Sequence, residues 1–289
     1  MYRKIIVPLD GSKLAEQILP FARSLAEAAN APVELLRVNE AETTVASTLP
    51  LKSAEYLDEV AKKFFSPATP VEKTVVLGYP ATVIVERGGG DSNCLIAMAT
   101  HGMSGIRRWL MGSVASKVAQ SAANPLLLIC PTEGSATATS FKAGTIFLPL
   151  DGSGLAERAL AHARSLAGSM NSEIHLLRVY SVPSNAYVLA DGVITQGLAQ
   201  FREAMQQEAA VYLDGKVEGL RADGFRRVTA TAIEGDPAGE IIDLAGRTPN
   251  SLIIMSTHGR SGAGRWLLGS VAEKVIQHSR APVLLIRAA

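Results

Sequence analysis

The chain has 289 residues, 47% of them hydrophobic, which suggests about two ordinary domains with a core each and excludes a disordered or fibrous chain. Its 28 basic residues nearly cancel 27 acidic ones, and no long run of one sign occurs. General binding to nucleic acid or to a membrane surface is therefore disfavoured.

Met1-Tyr2-Arg3-Lys4 leads straight into Ile5-Ile6-Val7-Pro8, a run too short for a secretory signal, and no apolar stretch approaches the ~18 residues of a membrane span. A cytoplasmic protein is expected. Cys94 and Cys130 end up in apolar runs without CxxC spacing and read as buried thiols.

Short apolar runs then alternate with amphipathic stretches. Strand patterns over residues 4–9, 33–38, 71–77, 93–99 and 126–130 are separated by helical patterns over 13–29, 53–65, 81–87 and 114–122. The same succession recurs from Thr145 through Ile286. Strands apolar along their whole length and flanked by helices predict a parallel sheet covered on both faces, five strands to each copy.

The recurrence is an internal repeat. Residues 10–38 match 151–179 without a gap, 17 of 29 positions being identical, and 100–120 match 257–277 at 15 of 21. The offset grows from 141 to 157, so the second copy carries 16 extra residues, placed by the pattern between Tyr180 and Gly197. A stretch rich in Ser, Thr, Ala and Gly separates the copies. The expected organisation is a first domain at 1–133, a linker at 134–143 and a second domain at 144–289. The tether holds the domains at high effective concentration, so an intramolecular pseudo-dimer is expected. The last strands, at 126–129 and 283–286, would each leave an aggregation-prone edge unless covered, and pairing with one another would cover both.

In an open parallel sheet ligands sit beyond the carboxyl ends of the strands, where the connection direction reverses. Pro8-Leu9-Asp10-Gly11, Arg37-Val38 and the loop after Ala99 end there, and their counterparts do in the second copy. A nucleotide could reach from an adenine contact on the first two to phosphates on the third. Gly112 and Gly269 would let the backbone approach phosphate oxygens. Ser113 and Ser270 could cap the next helix and donate a hydroxyl, while the helix dipole favours the negative charge. The plainer reading makes the serines N-caps and the glycines carriers of positive φ. Asp10 and Asp151 have a plain reading too, as Asx-turns that cap the helix after them. Two loops at equal spacing favour the phosphate reading over an isolated accident.

Neither a Walker A lysine nor a GxGxxG after the first strand is present. The spacing resembles that of the universal stress protein family, whose nucleotide-binding members carry Gly-x2-Gly-x9-Gly-Ser/Thr here. Gly102 and Gly112, like Gly259 and Gly269, enclose nine residues and precede Ser113 or Ser270. Pro-Leu-Asp-Gly-Ser from Pro8 and from Pro149, Leu-Leu-Arg-Val at the second strands and Gly235-Asp236-Pro237-Ala238 add to the likeness. It implies two tandem Rossmann-like domains of the adenine nucleotide α-hydrolase-like α/β fold, and an ATP-binding protein with a regulatory or stress-response role and little or no hydrolysis.

By the resemblance, Asp10 and Asp151 contact adenosine, and the backbones of Val38 and Val179 read the adenine edge. Gly102, Gly112, Ser113 and Val114, with Gly259, Gly269, Ser270 and Val271, hold ribose and phosphates, and Mg2+ or Mn2+ bridges the phosphates. Pro8 and Pro149 line the same openings, as does Arg260, which stands where the first copy has Met103. The first motif glycine is replaced by Ala99 and by Ser256, so a methyl or hydroxymethyl group is expected to narrow each site. With Gly78-Tyr79-Pro80 in place of Gly235-Asp236-Pro237, the first site reads as the poorer phosphate binder.

His101 and His258 lack an obvious nucleophile or carboxylate partner and read as loop braces, and Trp109 and Trp266 as loop anchors. Arg108 and Arg265 either bind phosphate or stack on the surface. Residues 181–192 either fold over the second site or form a surface loop. Two rival functions are a slow hydrolase or phosphotransferase using His258 and Arg265, and a nucleotide-free structural adaptor whose pockets Ala99 and Ser256 have closed. Further association of two chains is left open.

Overall fold

The computed structural model describes residues 2–40, 49–103, 111–132, 134, 140–182, 194–257 and 268–287. The first half runs β1 (Lys4–Pro8), α1 (Lys13–Glu16), α2 (Leu19–Ala29), β2 (Val33–Asn39), α3 (Leu49–Phe64), β3 (Val71–Leu77), α4 (Pro80–Gly88), β4 (Cys94–Ala99), α5 (Ser113–Ser121) and β5 (Leu126–Ile129). The second repeats the order as β6 (Thr145–Pro149), α6 (Gly154–Glu157), α7 (Ala159–Met170), β7 (Glu173–Tyr180), α8 (Ile194–Ala222), β8 (Val228–Glu234), α9 (Pro237–Arg247), β9 (Ser251–Ser256), α10 (Ser270–His278) and β10 (Val283–Ile286). This is the expected two-domain Rossmann-like fold.

All ten strands form one sheet in the order β3-β2-β1-β4-β5-β10-β9-β6-β7-β8. Pairing is parallel within each half, and the halves join where β5 and β10 run antiparallel, Leu127 opposite Leu284. The two terminal strands therefore lie at the centre of the sheet, each hiding the edge of the other. In each half the chain moves from the first strand outward to the second and third, then returns to the other side of the first. The reversal falls between β1 and β4, and between β6 and β9.

Alternation along the strands feeds two cores. Ile5 and Val7 face the layer of α2, α3, α7 and α8, while Ile6 faces that of α4, α5, α9 and α10. The first layer is continuous across the halves, with α2 packed on α7. Tyr2 stacks on His162 and its hydroxyl lies 2.9 Å from Nδ1, and Phe21 packs on Phe141 with ring centroids 4.5 Å apart.

Three points of the local structure correct or extend the reading. The helix predicted over 13–29 is two helices, α1 and α2, each half beginning with one turn capped by Ser12 or Ser153. Pro20 suits the start of α2, but Ala161 stands at its place in the second half and the break recurs, so proline is not its sole cause. The extra residues of the second half enter α8 in part, which runs 29 residues against 16 in α3. Third, Ser113 and Ser270 are not N-caps: Gly112 and Gly269 hold that position at φ −57° and −64°, so neither the serine-cap nor the positive-φ reading applies.

One buried charge distinguishes the halves. Glu34, fully buried in β2, accepts from Arg87 Nε at 2.6 Å and pairs with Lys4 Nζ at 2.7 Å. Burial alone would raise its pKa, but the hydrogen bonds from Arg87, Lys4 and Thr74 outweigh it and hold the carboxyl below the usual range. His175 takes the same place in β7 and bonds Thr229 instead.

Candidate functional site

At the reversal point of the first half, β1 ends in a loop whose Asp10 is used through both oxygens. Oδ1 accepts from Ser12 N at 2.9 Å and Ser12 Oγ at 2.6 Å, and Oδ2 accepts from Met103 N at 2.6 Å. Ser12 Oγ in turn accepts from Ala15 N and caps α1. The carboxylate thus makes the Asx-turn and also ties the β1 loop to the glycine loop after β4. Asp151 makes the same two bonds to Ser153, and Ser153 caps α6.

The two motif glycines of the first half have neighbours that exclude a side chain. A Cβ on Gly102 would stand 1.8 Å from Asp10 Oδ2, and one on Gly112 would stand 2.9 Å from the Thr100 carbonyl. That carbonyl accepts from Gly112 N at 2.9 Å, closing the loop on its own stem, and Thr257 with Gly269 repeats the closure at 2.9 Å. Each closure sets a glycine, which has no side chain to offer, at the N-cap of a nine-residue helix. Ser113 and Ser270 follow as exposed first residues, with Val114 and Val271 half-buried behind them.

Ala99 and Ser256 close β4 and β9 and are buried. The Ala99 methyl belongs to the core cluster shared with Leu9, Leu127 and Ile129. Pro8 and Pro149 end β1 and β6, pairing with Leu36 and Leu177. Val38 and Val179 lie near the ends of β2 and β7, opposite Val76 and Ile233. His101 is buried, its Nδ1 3.0 Å from Thr100 Oγ1. Gly259 and Arg260 fall outside the described residues, as do His258, Arg108, Trp109, Arg265, Trp266 and residues 183–193.

Beside each Asp-Gly-Ser turn the structure adds residues that the motif reading passed over. Arg37 donates from Nε to Asn39 Oδ1, and its NH1 reaches the Leu9 carbonyl at 3.4 Å. Ser53 of α3 donates to the same Asn39 oxygen at 3.2 Å. In the second half Arg178 is buried, lies over the Tyr212 ring at 4.7 Å and bonds Glu208 Oε1 at 2.7 Å. Gly152, Arg178, Gln207, Glu208, Val211 and Tyr212 line a cleft of about 500 Å3 there. The signal was in the repeat itself, since Leu-Leu-Arg-Val puts an arginine at the same strand end twice.

A glutamate on the first short helix of each half completes the frame. Glu16 is paired with Lys13 and Glu157 with Lys216, and the Tyr212 hydroxyl also donates to Glu157 at 2.9 Å. The bond from Lys216 holds the Glu157 carboxyl below its usual range.

Comparison with known proteins bears on this arrangement of paired loops. The model of the universal stress protein family matches residues 1–129 and again 143–287. The chain belongs to the universal stress protein family, as a tandem two-domain member. A universal stress protein of Methanocaldococcus jannaschii is 32% identical over 142 residues, covering 49% of this chain and 81% of the relative. One from Mycobacterium bovis is 24% identical over 218 residues, covering 75% and 69%. Among solved structures, a universal stress protein from Archaeoglobus fulgidus covers 99% of this chain and 98% of its own at a TM-score of 0.73 and 22% identity, a likeness of fold.

Proposed function

We propose that this universal stress protein binds adenine nucleotide, ATP in the first instance, in both halves, and acts as a nucleotide-responsive regulator rather than as an enzyme of high turnover. The observation that carries the reading is the twofold loop closure. In each half a Thr carbonyl to Gly amide bond holds a glycine at a helix amino terminus, beside a turn anchored by Asp10 or Asp151. Such a terminus favours phosphate through its amides and its dipole, each contact being worth about 0.3–1 kcal/mol when exposed.

Gly112, Ser113 and Val114 would hold phosphates in the first half, and Gly269, Ser270 and Val271 in the second, with Gly102 and Gly259 at the ribose end. Asp10 and Asp151, with the backbones of Val38 and Val179 beside Pro8 and Pro149, would take adenosine, and Arg260 would add a charge to the second loop. By the family likeness, Mg2+ or Mn2+ would bridge the phosphates. The domains, 1–133 and 144–289, would act as an intramolecular pseudo-dimer. Among the described residues no helix is long and apolar enough to cross a membrane.

Calorimetric titration with Mg-ATP tests the reading. Gly269→Val should leave one site of the two, because Gly269 repeats the closure of Gly112, where a side chain would meet the carbonyl that closes the loop. An unchanged stoichiometry in that variant would show the site to be misplaced, and steady-state turnover well above about 0.1 per second would favour a hydrolase.

A further inference from the structure

Two aromatic contacts between the halves differ in chemistry. His162 of α7 stands at the place of Phe21 of α2, at the offset of 141 that holds throughout this part of the repeat. Phe21 packs on Phe141 ring against ring and has nothing to titrate. His162 instead stacks on Tyr2, with centroids 5.7 Å apart and planes at 26°, and its Nδ1 lies 2.9 Å from the phenol oxygen. The repeat can therefore fill this place with an apolar ring, so the titratable pair is not imposed by the fold.

The direction of the hydrogen bond follows from its surroundings. Tyr2 is buried, its hydroxyl makes no other hydrogen bond among the described residues, and burial pushes its pKa up, so it remains a phenol and donates. Nδ1 accepts, which puts the neutral ring's own proton on Nε2 and leaves Nδ1 as the place for a second. A proton there ends the arrangement. Nδ1 must then donate, and the buried phenol hydrogen loses its acceptor.

The surroundings oppose that proton as well. Burial lowers the His162 pKa first, and the positive amino terminus lowers it further. Carboxylates on the elements packed there are engaged elsewhere: Glu27 of α2 with Arg23, Asp223 with Arg164 of α7, and Asp91 with the Asn93 amide. Arg3 and Arg158 are exposed and add positive charge. A cavity of about 230 Å3 lies beside the pair, walled by Ser92 and Asn93 ahead of β4 and by Ser165 along α7. It is polar and has room for several waters.

We infer that Tyr2 and His162 form an acid-released clasp between the halves, closed while the ring is neutral and opened when the ring takes a proton and turns to the water of the cavity. The folded ring binds its proton less readily than the unfolded one, whose pKa is about 6.5, so the clasp is intact above that pH and is lost as pH falls toward the folded value. Phe21 with Phe141, and β5 with β10, hold the halves together at either pH. The clasp lies at the amino end of the sheet, away from both openings, and is read without nucleotide.

Amide exchange followed by NMR on the full chain is the test, read at Arg3, which follows Tyr2 and bonds the Asn93 carbonyl of the cavity wall at 2.8 Å. Corrected for its intrinsic rate, exchange there should quicken about fivefold from about pH 7.5 to about pH 5, the effect of one lost hydrogen bond. In His162→Phe, which copies Phe21, the corrected rate should be the same at both. In Tyr2→Phe, which keeps the ring and removes the donor, the rate should be high at both, and the His162 ring should titrate at a higher pH than in the wild type. A level rate in the wild type would overturn the inference, as would a rise of equal size in His162→Phe. A ring titration left unmoved by Tyr2→Phe would reduce the pair to packing and overturn it too.

Discussion

Asp10 shows how the site is held at the level of single residues, because one carboxylate shapes its own turn and fixes the glycine loop. A methyl at position 102 would overlap Oδ2, so Gly102→Ala should push the two loops apart, at a cost of about 1–3 kcal/mol, and should lower nucleotide affinity in the first half. Calorimetry and a thermal melt check this together; wild-type values in both would contradict it. Glu34 makes a second residue-scale case. Arg87→Ala leaves Lys4 as its remaining cation and should cost about 2 kcal/mol at neutral pH, less than a fully orphaned buried charge. Because the folded pKa of Glu34 lies below its unfolded value of about 4.3, the stability it adds is present above that pH and is lost as pH falls through the folded value. Urea midpoints of wild type and variant should therefore converge toward pH 3. A constant difference would show that Arg87 acts by packing alone.

Among the helices and strands, what the sequence made legible was periodic or repeated. The inner strands such as β4, β5 and β10 could be read from unbroken apolar runs, because a strand buried on both faces has no polar side to interrupt it. The half-exposed edge strands β3 and β8 carry polar residues and were legible only through the repeated order of elements. The break between α1 and α2 could not, because apolar spacing continues across it and the turn is set by Ser12 capping a single helical turn. The caps of α5 and α10 were misread for a related reason. Gly-Ser fits a serine cap as well as a glycine cap, and the bonds from Ser116 N to the Gly112 carbonyl and from Glu273 N to the Gly269 carbonyl, the first of each helix, decide between them. The cluster of Arg178, Glu208 and Tyr212 was hidden because α8 is joined to β7 by the stretch in which the two copies lose register. At this scale the comparison of α4 with α9 makes a prediction: Tyr79→Asp should raise stability by about 1 kcal/mol, seen as a higher urea midpoint at an unchanged slope. A lower midpoint would mean that the Tyr79 ring supports the fold.

Across the whole molecule, one sheet passes through both halves, and its centre is the antiparallel pair of β5 and β10. Covering these strands on both faces and pairing both edges should place the amides of Leu127 and Leu284 among the slowest to exchange with deuterium; rapid exchange at both would contradict the continuous sheet. The same arrangement sets two openings at the carboxyl ends of one sheet, each with an Asp-Gly-Ser turn and a Thr-Gly loop closure. Their rims differ in detail, with Leu77 and Tyr79 exposed in the first half where Glu234 and Asp236 stand in the second, whose cleft is lined by the exposed Val211 and by the Arg178–Glu208 ion pair. The central claim is that both openings take adenine nucleotide, and native mass spectrometry of the full chain with Mg2+ and saturating ATP tests it most directly. Two nucleotides for each chain are predicted, and a chain that stays without nucleotide at millimolar ATP would contradict the account.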